Sequence, residues 1–301
     1  MLETTLCGIR LKNPTVLASG ILGISKESIE KVAKAGAGAV TLKSLCHEER
    51  AGHPAPNMFT FEGGMLNAVG LPGQGIYNAI SEFRRLDDLS VPVFGSIFGY
   101  TEEQFGTVAE KMARLKPALI EVDVSCPHVK YDHPFGTDPE AVRLITQKVK
   151  ANARNIPVSI KLSPNLHNIA NIALAAEEAG ADAITAINTV AAMKIDLESR
   201  KPILGNKTGG MSGPALKPIA VKCVYDIYKA VKIPIIGTGG VTTGEDAIEM
   251  IMAGATAVGI GTACYYHGPQ VFSKITQEME AWMKKHNIRS LDKIRGCSHE
   301  N

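Results

Sequence analysis

The chain has 301 residues, 45% hydrophobic and 21% charged, enough apolar material for one large core and an ordinary length for a single α/β barrel. The formal charge is only +2 and no lysine or arginine stripe forms, so no nucleic acid partner is expected and small anions are the expected charged ligands. Six cysteines, at 7, 46, 126, 223, 264 and 297, include no CxxC pair and no cysteine–histidine zinc spacing, so neither a disulfide framework nor a protein-held metal or iron–sulfur cluster is expected.

The chain opens MLETTLCGIRLKNP, without the basic start and continuous apolar run of a signal peptide, and no later run reaches transmembrane length. A cytoplasmic chain with no membrane contact is therefore expected. Residues 4–12 (TTLCGIRLK) predict a short hairpin turning at Gly8, and residues 14–19 (PTVLAS) the first core strand. Gly20 and Gly23 give a small-residue loop before a helix over 26–35, and the apolar run 38–42 (GAVTL) then stops at Lys43. Residues 44–75 are too long for an ordinary connection and are rich in Gly, Pro and Asn, which predicts a functional excursion over one barrel mouth.

A helix over 76–86, a strand over 92–97 (PVFGSI) and a helix over 102–114 lead to 119–124 (LIEVDV), a buried strand that ends at Ser125-Cys126-Pro127. Pro127 cannot continue the ladder, so Cys126 stands where strand gives way to loop. Residues 138–152 predict a helix with Pro139 in its first turn, followed by a strand over 157–162 (PVSIKL), a helix over 169–179 and a strand over 182–187 (DAITAI). A second long excursion, 190–213, carries TGGMSG and precedes a helix over 215–231. Residues 233–238 (IPIIGT) and 256–260 (TAVGI) are the last two strands, each running into glycine.

Strand and helix thus alternate eight times, with AGA turns just before strands at 35–37, 179–181 and 253–255. The pattern predicts an α/β fold: one (β/α)8 TIM barrel domain over 1–301, with an N-terminal hairpin and excursions over the C-terminal mouth. Ser19, Lys43, Ser96, Cys126, Lys161 and Asn188 all fall at or just beyond strand C-termini, the face where such barrels carry their active sites.

Cys126 has two readings from its surroundings. Free cysteine often serves as a small buried hydrophobe, but this one opens a polar loop among Asp123, Ser125 and His128, where a thiol can act as nucleophile, general base or metal ligand. The turns GTGGV (237–241) and GIGT (259–262) let backbone N–H groups approach an anion at the positive end of a following helix, though glycine serves tight turns equally well. Lys43 and Lys161 are placed to point cations into the mouth, where they suit anionic cofactor or substrate groups. Asn67, in MLNAVGLPG, and Asn188 offer the paired donor and acceptor that a planar amide or imide needs, with Asn67 alternatively shaping the turn before Gly70.

Several stretches, taken together, resemble the class 1 dihydroorotate dehydrogenases, and among them the 1B form. They are LASG at 17–20, TLKS at 41–44, GGMLNAVGLPGQG at 63–75, SCPHVK at 125–130, FGTDPE at 135–140, VSIKLSPN at 158–165, INT at 187–189, GGMSGPALKP at 209–218, IIGTGGV at 235–241 and GT at 261–262. The resemblance runs nearly end to end and implies an FMN-dependent (β/α)8 barrel that oxidises dihydroorotate to orotate in pyrimidine synthesis.

It further implies that Ala18, Ser19, Gly20, Lys43, Lys161, Gly213, Gly239, Gly240, Gly261 and Thr262 hold FMN. Lys43, Asn67, Gly70, Leu71, Asp123, His128, Asn188 and Thr189 would line the substrate pocket. Cys126 would remove a proton from C5 of dihydroorotate while hydride leaves C6 for flavin N5. Likeness to the 1B form also implies a homodimer core and a separate FAD and iron–sulfur subunit to receive electrons. Membrane-associated class 2 relatives resemble one another in using serine as base and in an N-terminal extension, neither of which is expected here.

Two positions depart from the common pattern of the resemblance. Asp123 stands where asparagine is usual, and His128 where the SCPN motif ends in asparagine. Histidine still donates a hydrogen bond, whereas an ionised aspartate only accepts, which bears on the choice of substrate. The alternatives to dihydroorotate oxidation are a paralogue acting on another dihydropyrimidine or cyclic imide, and a barrel that binds a phosphorylated metabolite without redox chemistry.

Overall fold

The fold begins with the expected hairpin, β1 (Thr4–Leu6) and β2 (Ile9–Leu11), whose turn places Cys7 and Gly8 at φ of 50° and 78°. The computed structural model describes residues 1–124 and 135–300. β3 (Thr15–Leu17), α1 (Lys26–Lys34) and β4 (Ala39–Thr41) follow, and then the first excursion contributes a second hairpin, β5 (Met58–Phe61) and β6 (Gly64–Asn67). α2 (Gly75–Glu82), β7 (Val93–Ile97), α3 (Glu102–Arg114), β8 (Leu119–Asp123), α4 (Pro139–Asn152), β9 (Val158–Leu162), α5 (Ile169–Glu178) and β10 (Ala183–Ala186) continue the alternation. The second excursion holds β11 (Val190–Ala192), β12 (Ile195–Asp196), β13 (Lys201–Pro202) and β14 (Gly209–Ser212). After it come α6 (Lys217–Ala230), β15 (Ile235–Thr238), α7 (Gly244–Met252), β16 (Ala257–Ile260), α8 (Thr262–His267) and α9 (Val271–Lys285).

β3, β4, β7, β8, β9, β10, β15 and β16 pair in parallel in that order, and β16 closes onto β3 to make the (β/α)8 TIM barrel. Local chemistry starts the helices where the pattern predicts. Ser25, Thr101, Asp138, Asn168 and Thr243 each accept a backbone N–H in the first turn of α1, α3, α4, α5 and α7. Two predicted helices shorten at their ends. α2 stops at Glu82 rather than running to 86, because Arg85 adopts a left-handed φ of 60° that a right-handed helix cannot continue, and residues Leu86–Asp88 form a separate 3-10 turn. The segment predicted as helix from 215 starts as a 3-10 turn, Pro214–Leu216, before α6.

Side chains alternate across each barrel strand, so one strand supplies successive layers of the interior. On β8, Leu119, Glu121 and Asp123 share the inward face, apolar at the N-terminal end and acidic towards the C-terminal mouth. At the N-terminal end the β1–β2 hairpin plugs the barrel: Leu6 and Leu11, both 0% exposed, pack with Val16, Ala39, Phe94, Leu119, Ile236 and Ala257 near the starts of the strands. At the other end the two excursions meet in a four-stranded antiparallel sheet, ordered β11-β14-β6-β5. Leu66, Ala68 and Leu204 give that sheet a small core of its own.

Candidate active site at the C-terminal mouth

A cavity of about 590 Å³ opens between the barrel strand ends and the antiparallel sheet, whose Met58, Met65, Gly210 and Ser212 form part of its wall. Ala18, Ser19 and Gly20 reach it from the end of β3, Lys43 from β4, Asp123 from β8 and Lys161 from β9. Asn188 and Thr189 follow β10, Gly239 and Gly240 follow β15, and Gly261 and Thr262 follow β16. Asn67, Gly70 and Leu71 enter from the first excursion and Gly213 from the end of the second. All of these predicted residues therefore line one cavity, although they span the chain from residue 18 to residue 262. Cys126 and His128 lie outside the described residues.

The charged floor is organised by a residue that sequence reasoning missed. Glu121 is 4% exposed, and its Oε1 accepts from Ser19 Oγ at 2.8 Å and from Ser96 Oγ at 3.5 Å. Lys161, 5% exposed, donates from Nζ to Ser19 Oγ at 2.7 Å and stands 3.6 Å from Glu121 Oε1. Ser96 Oγ also pairs with Ser44 Oγ at 2.8 Å, so the network joins the ends of β3, β4, β7, β8 and β9. The signal was present in LIEVDV: an acid in the middle of a buried strand is costly unless a partner meets it.

Lys43 shares this mouth. Burial pushes its ammonium pKa below the ordinary lysine value, the nearby Lys161 charge lowers it further, and Asp123 pulls it partly back. Asp123 is itself held by Asn188, whose Nδ2 lies 3.3 Å from both carboxylate oxygens. The orientation of that amide is set at its other end, where Asn188 Oδ1 accepts the Thr189 N–H at 2.8 Å. Thus Asn188 turns its donors towards Asp123, and the carboxylate meets a donor and a neighbouring cation rather than bare apolar wall. Asn67 donates from Nδ2 to Gly210 O at 3.4 Å, across the β6–β14 pairing that ties the two excursions together.

The two glycine turns differ in what they need glycine for. Gly239 and Gly240 have φ of 134° and 75°, and a Cβ on them would stand 2.7 Å from Ala220 Cβ and 2.6 Å from Lys217 N, so both are required by the turn itself. At Gly261 a Cβ would meet nothing nearer than Ile21 Cγ1 at 3.6 Å and Ala18 Cβ at 3.7 Å, both on cavity-lining residues. Its missing side chain leaves room in the cavity rather than in the protein. The turn after β15 is braced by Asp246, whose Oδ2 accepts from Thr242 N, Thr242 Oγ1 and Thr243 N, while Oδ1 accepts from Lys217 Nζ at 2.8 Å. Burial opposes ionisation of this carboxyl, but the Lys217 and threonine hydrogen bonds prevail and hold it at about 2. Thr262 Oγ1 donates to Ser212 Oγ at 2.8 Å and so joins the β16 turn to the sheet.

Among the described residues no cluster of three or more His, Cys, Asp or Glu side chains is arranged to hold a metal ion. No helix among them is long and apolar enough to cross a membrane.

The cavity's wall carries the motifs that suggested the family, and whole-chain comparison agrees. A family model described as dihydroorotate dehydrogenase matches residues 1–283. A protein of Methanosarcina mazei named dihydroorotate dehydrogenase B (NAD(+)), catalytic subunit, is 47% identical over 299 residues, which cover 98% of this chain and 95% of that protein. The protein of the same name from Methanocaldococcus jannaschii is 45% identical over 305 residues, covering 100% of this chain and 99% of its own length. That from Pyrococcus abyssi is 43% identical over 299 residues, with 99% of each chain covered. With a closed parallel barrel, a cavity built from the same motifs and similarity along nearly its whole length, the chain belongs to the dihydroorotate dehydrogenase family.

Proposed function

We propose that this chain oxidises dihydroorotate to orotate, with FMN as the bound acceptor of hydride. The family is one of flavin-dependent oxidoreductases. The observation that carries the reading is the meeting of two lysines, two amides and two glycine turns in the wall of one cavity. The residues fit the cofactor. The N–H groups of the turns after β15 and β16 suit a phosphate at Gly240, Gly261 and Thr262, and the missing side chain of Gly261 leaves space for it. Ala18, Ser19, Gly20, Lys43, Lys161, Gly213 and Gly239 would hold the rest of the group. When bound, FMN supplies an electrophilic N5 that takes the hydride from C6 of the substrate.

The chain's own groups divide the remaining work. Lys43 offers the substrate carboxylate a cation in a poorly hydrated site, where the attraction is strengthened. Asn67, Asn188 and Thr189 face the polar edge of a planar ring, and Gly70 and Leu71 close the pocket from the first excursion. Asp123, as an acceptor, suits a ring N–H rather than a ring carbonyl. His128 lies near the base in sequence and is assigned a donor's role. Cys126 takes the C5 proton, because a thiol ionises near neutral pH far more readily than a hydroxyl. Loss of that proton and of the C6 hydride leaves the C5–C6 double bond of orotate.

The relatives' name, catalytic subunit, implies a partner subunit in those proteins. We read the partner here as a separate FAD and iron–sulfur subunit that receives electrons from a homodimeric core in the cytoplasm. Co-purification from the native host tests this, and recovery solely as a homo-oligomer that reduces fumarate directly would overturn it. The test of the reaction is anaerobic bleaching of the bound flavin: dihydroorotate is expected to bleach it rapidly and dihydrouracil slowly or not at all. Faster bleaching by dihydrouracil would refute the assignment.

A further inference from the structure

Glu121 lies one layer below the cavity, on the inward face of β8 between Leu119 of the apolar plug and Asp123 of the wall. It does not line the cavity, yet its network includes three residues that do: Ser19, Lys161 and Ser44. Four ionisable groups gather at this end of the barrel, with Lys43 and Lys161 set against Glu121 and Asp123. The Glu121 and Lys161 side chains are 5% and 7% exposed, so water screens their fields little.

We propose that Glu121 is a positioning residue that fixes Lys161 through Ser19 and sets the reduction potential of the bound flavin. The proposal rests on the flavin reading above. Reduction adds negative charge to the cofactor, so each fixed positive charge beside it favours the reduced form and each fixed negative charge disfavours it. Lys161 by itself would be a strongly reducing-state-favouring cation. Glu121, 3.6 Å from its Nζ, offsets that field and, with the 2.7 Å and 2.8 Å hydrogen bonds through Ser19, prevents the ammonium from swinging away. Ser96 Oγ stands 3.5 Å from the same Glu121 oxygen and pairs with Ser44 Oγ at 2.8 Å, which extends the network towards the end of β4. An apolar side chain would fill the same interior layer at no desolvation cost, so an acid here is explained by what it does to Lys161 rather than by packing.

The test is a dye-equilibrated reductive titration of the full-length flavoprotein. Glu121→Gln keeps the shape and an acceptor for Ser19 but removes the charge. It is expected to raise the equilibrium constant for flavin reduction about tenfold, which for a two-electron couple is about 30 mV. Glu121→Asp restores the charge and is expected to return the potential most of the way to that of the parent chain. An unmoved or lowered potential in Glu121→Gln, with flavin bound, overturns the proposal, because a purely structural role would change stability without raising the potential. If Glu121→Gln does not fold, the titration is made on Glu121→Asp, whose shorter side chain draws the carboxylate away from Lys161 Nζ and weakens the offset. Its potential must then lie above that of the parent chain, and an equal or lower potential overturns the proposal. A parent chain that takes up no flavin overturns the cofactor reading and this inference with it, whereas bound flavin with unshifted potentials overturns this inference alone.

Discussion

At the N-terminal end of the barrel, Leu6 and Leu11 of the hairpin close onto Val16, Phe94, Leu119 and Ile236 in an apolar cluster. At the C-terminal end the same strands carry Ser19, Lys43, Asp123 and Lys161 into a cavity of about 590 Å³. β8 spans both regimes within five residues, from Leu119 in the plug through Glu121 to Asp123 in the wall. Apolar packing and charged side chains thus occupy opposite ends of the barrel interior, with the Glu121 network as the layer between. Substitutions at the two ends should therefore separate into those that change folding and those that change the reaction.

The sharpest test of that separation is Cys126→Ser. It is expected to fold and retain flavin, but to slow flavin reduction by dihydroorotate by about 10²–10⁴-fold at pH 7, with recovery as alkaline solution deprotonates the hydroxyl. Stopped-flow reduction across pH checks this, and a wild-type rate at pH 7 would remove Cys126 as the base. At the opposite end, Leu11→Ala should lower the free energy of unfolding by about 2–5 kcal/mol, through lost burial and a residual cavity. Denaturant titration measures the loss, and flavin affinity in the still-folded protein should be unchanged. A large affinity loss would show that the plug and mouth are not independent.

Within the mouth, Gly261→Val should reduce FMN affinity about tenfold or more, equivalent to roughly 1.4 kcal/mol. Fluorescence titration after flavin removal measures the loss. Gly240 is not a clean site for this experiment, because a side chain there collides with Lys217 before it meets any ligand. A smaller effect, about three- to tenfold tighter orotate binding, is expected for Asp123→Asn, since the change removes a negative charge and adds a donor beside the substrate. Weaker orotate binding, together with preference for dihydrouracil in the parent chain, would argue for a substrate without a carboxylate.

The smallest effect is the pH dependence carried by Lys43. Because its folded-state pKa is depressed, Lys43 loses its charge at a pH where an ordinary lysine keeps it, so orotate affinity should decline as pH rises through that depressed value. Stability has the opposite sign. Between the depressed folded pKa and the ordinary lysine value the unfolded chain binds more protons, so this group's contribution to stability rises with pH across the window and is lowest below it. Orotate titrations at a series of alkaline pH values, with Lys43→Met as the control that should lack the decline, check the first statement. Unfolding of the ligand-free protein over the same range checks the second.

The alternation of apolar strands with capped helices was enough to predict the barrel, because each β/α unit is specified within about thirty residues by its own pattern and caps. The same locality made Ser19, Lys43, Lys161 and Asn188 legible: a polar residue that ends an apolar strand in a barrel must emerge at the C-terminal mouth. What stayed hidden depended on partners far away in the chain. β6 and β14 are short segments rich in small residues; each pairs with a neighbour in its own excursion, β5 and β11, but they form one sheet only because Asn67 to Met65 pair with Gly210 to Ser212 from the other excursion. Neither segment carries an alternating pattern long enough to announce itself. Glu121 could be recognised as anomalous within LIEVDV, but its meaning required Ser19 and Lys161, which lie 102 residues away for the former hydrogen bond and join it through a contact spanning 142 residues. The amino-acid sequence by itself therefore determined the strands, the helices and the residues delivered to the mouth, since these follow from local periodicity, while only the tertiary structure decided which charges compensate one another and which glycine leaves room for a ligand, since both depend on distances between side chains that no local pattern encodes.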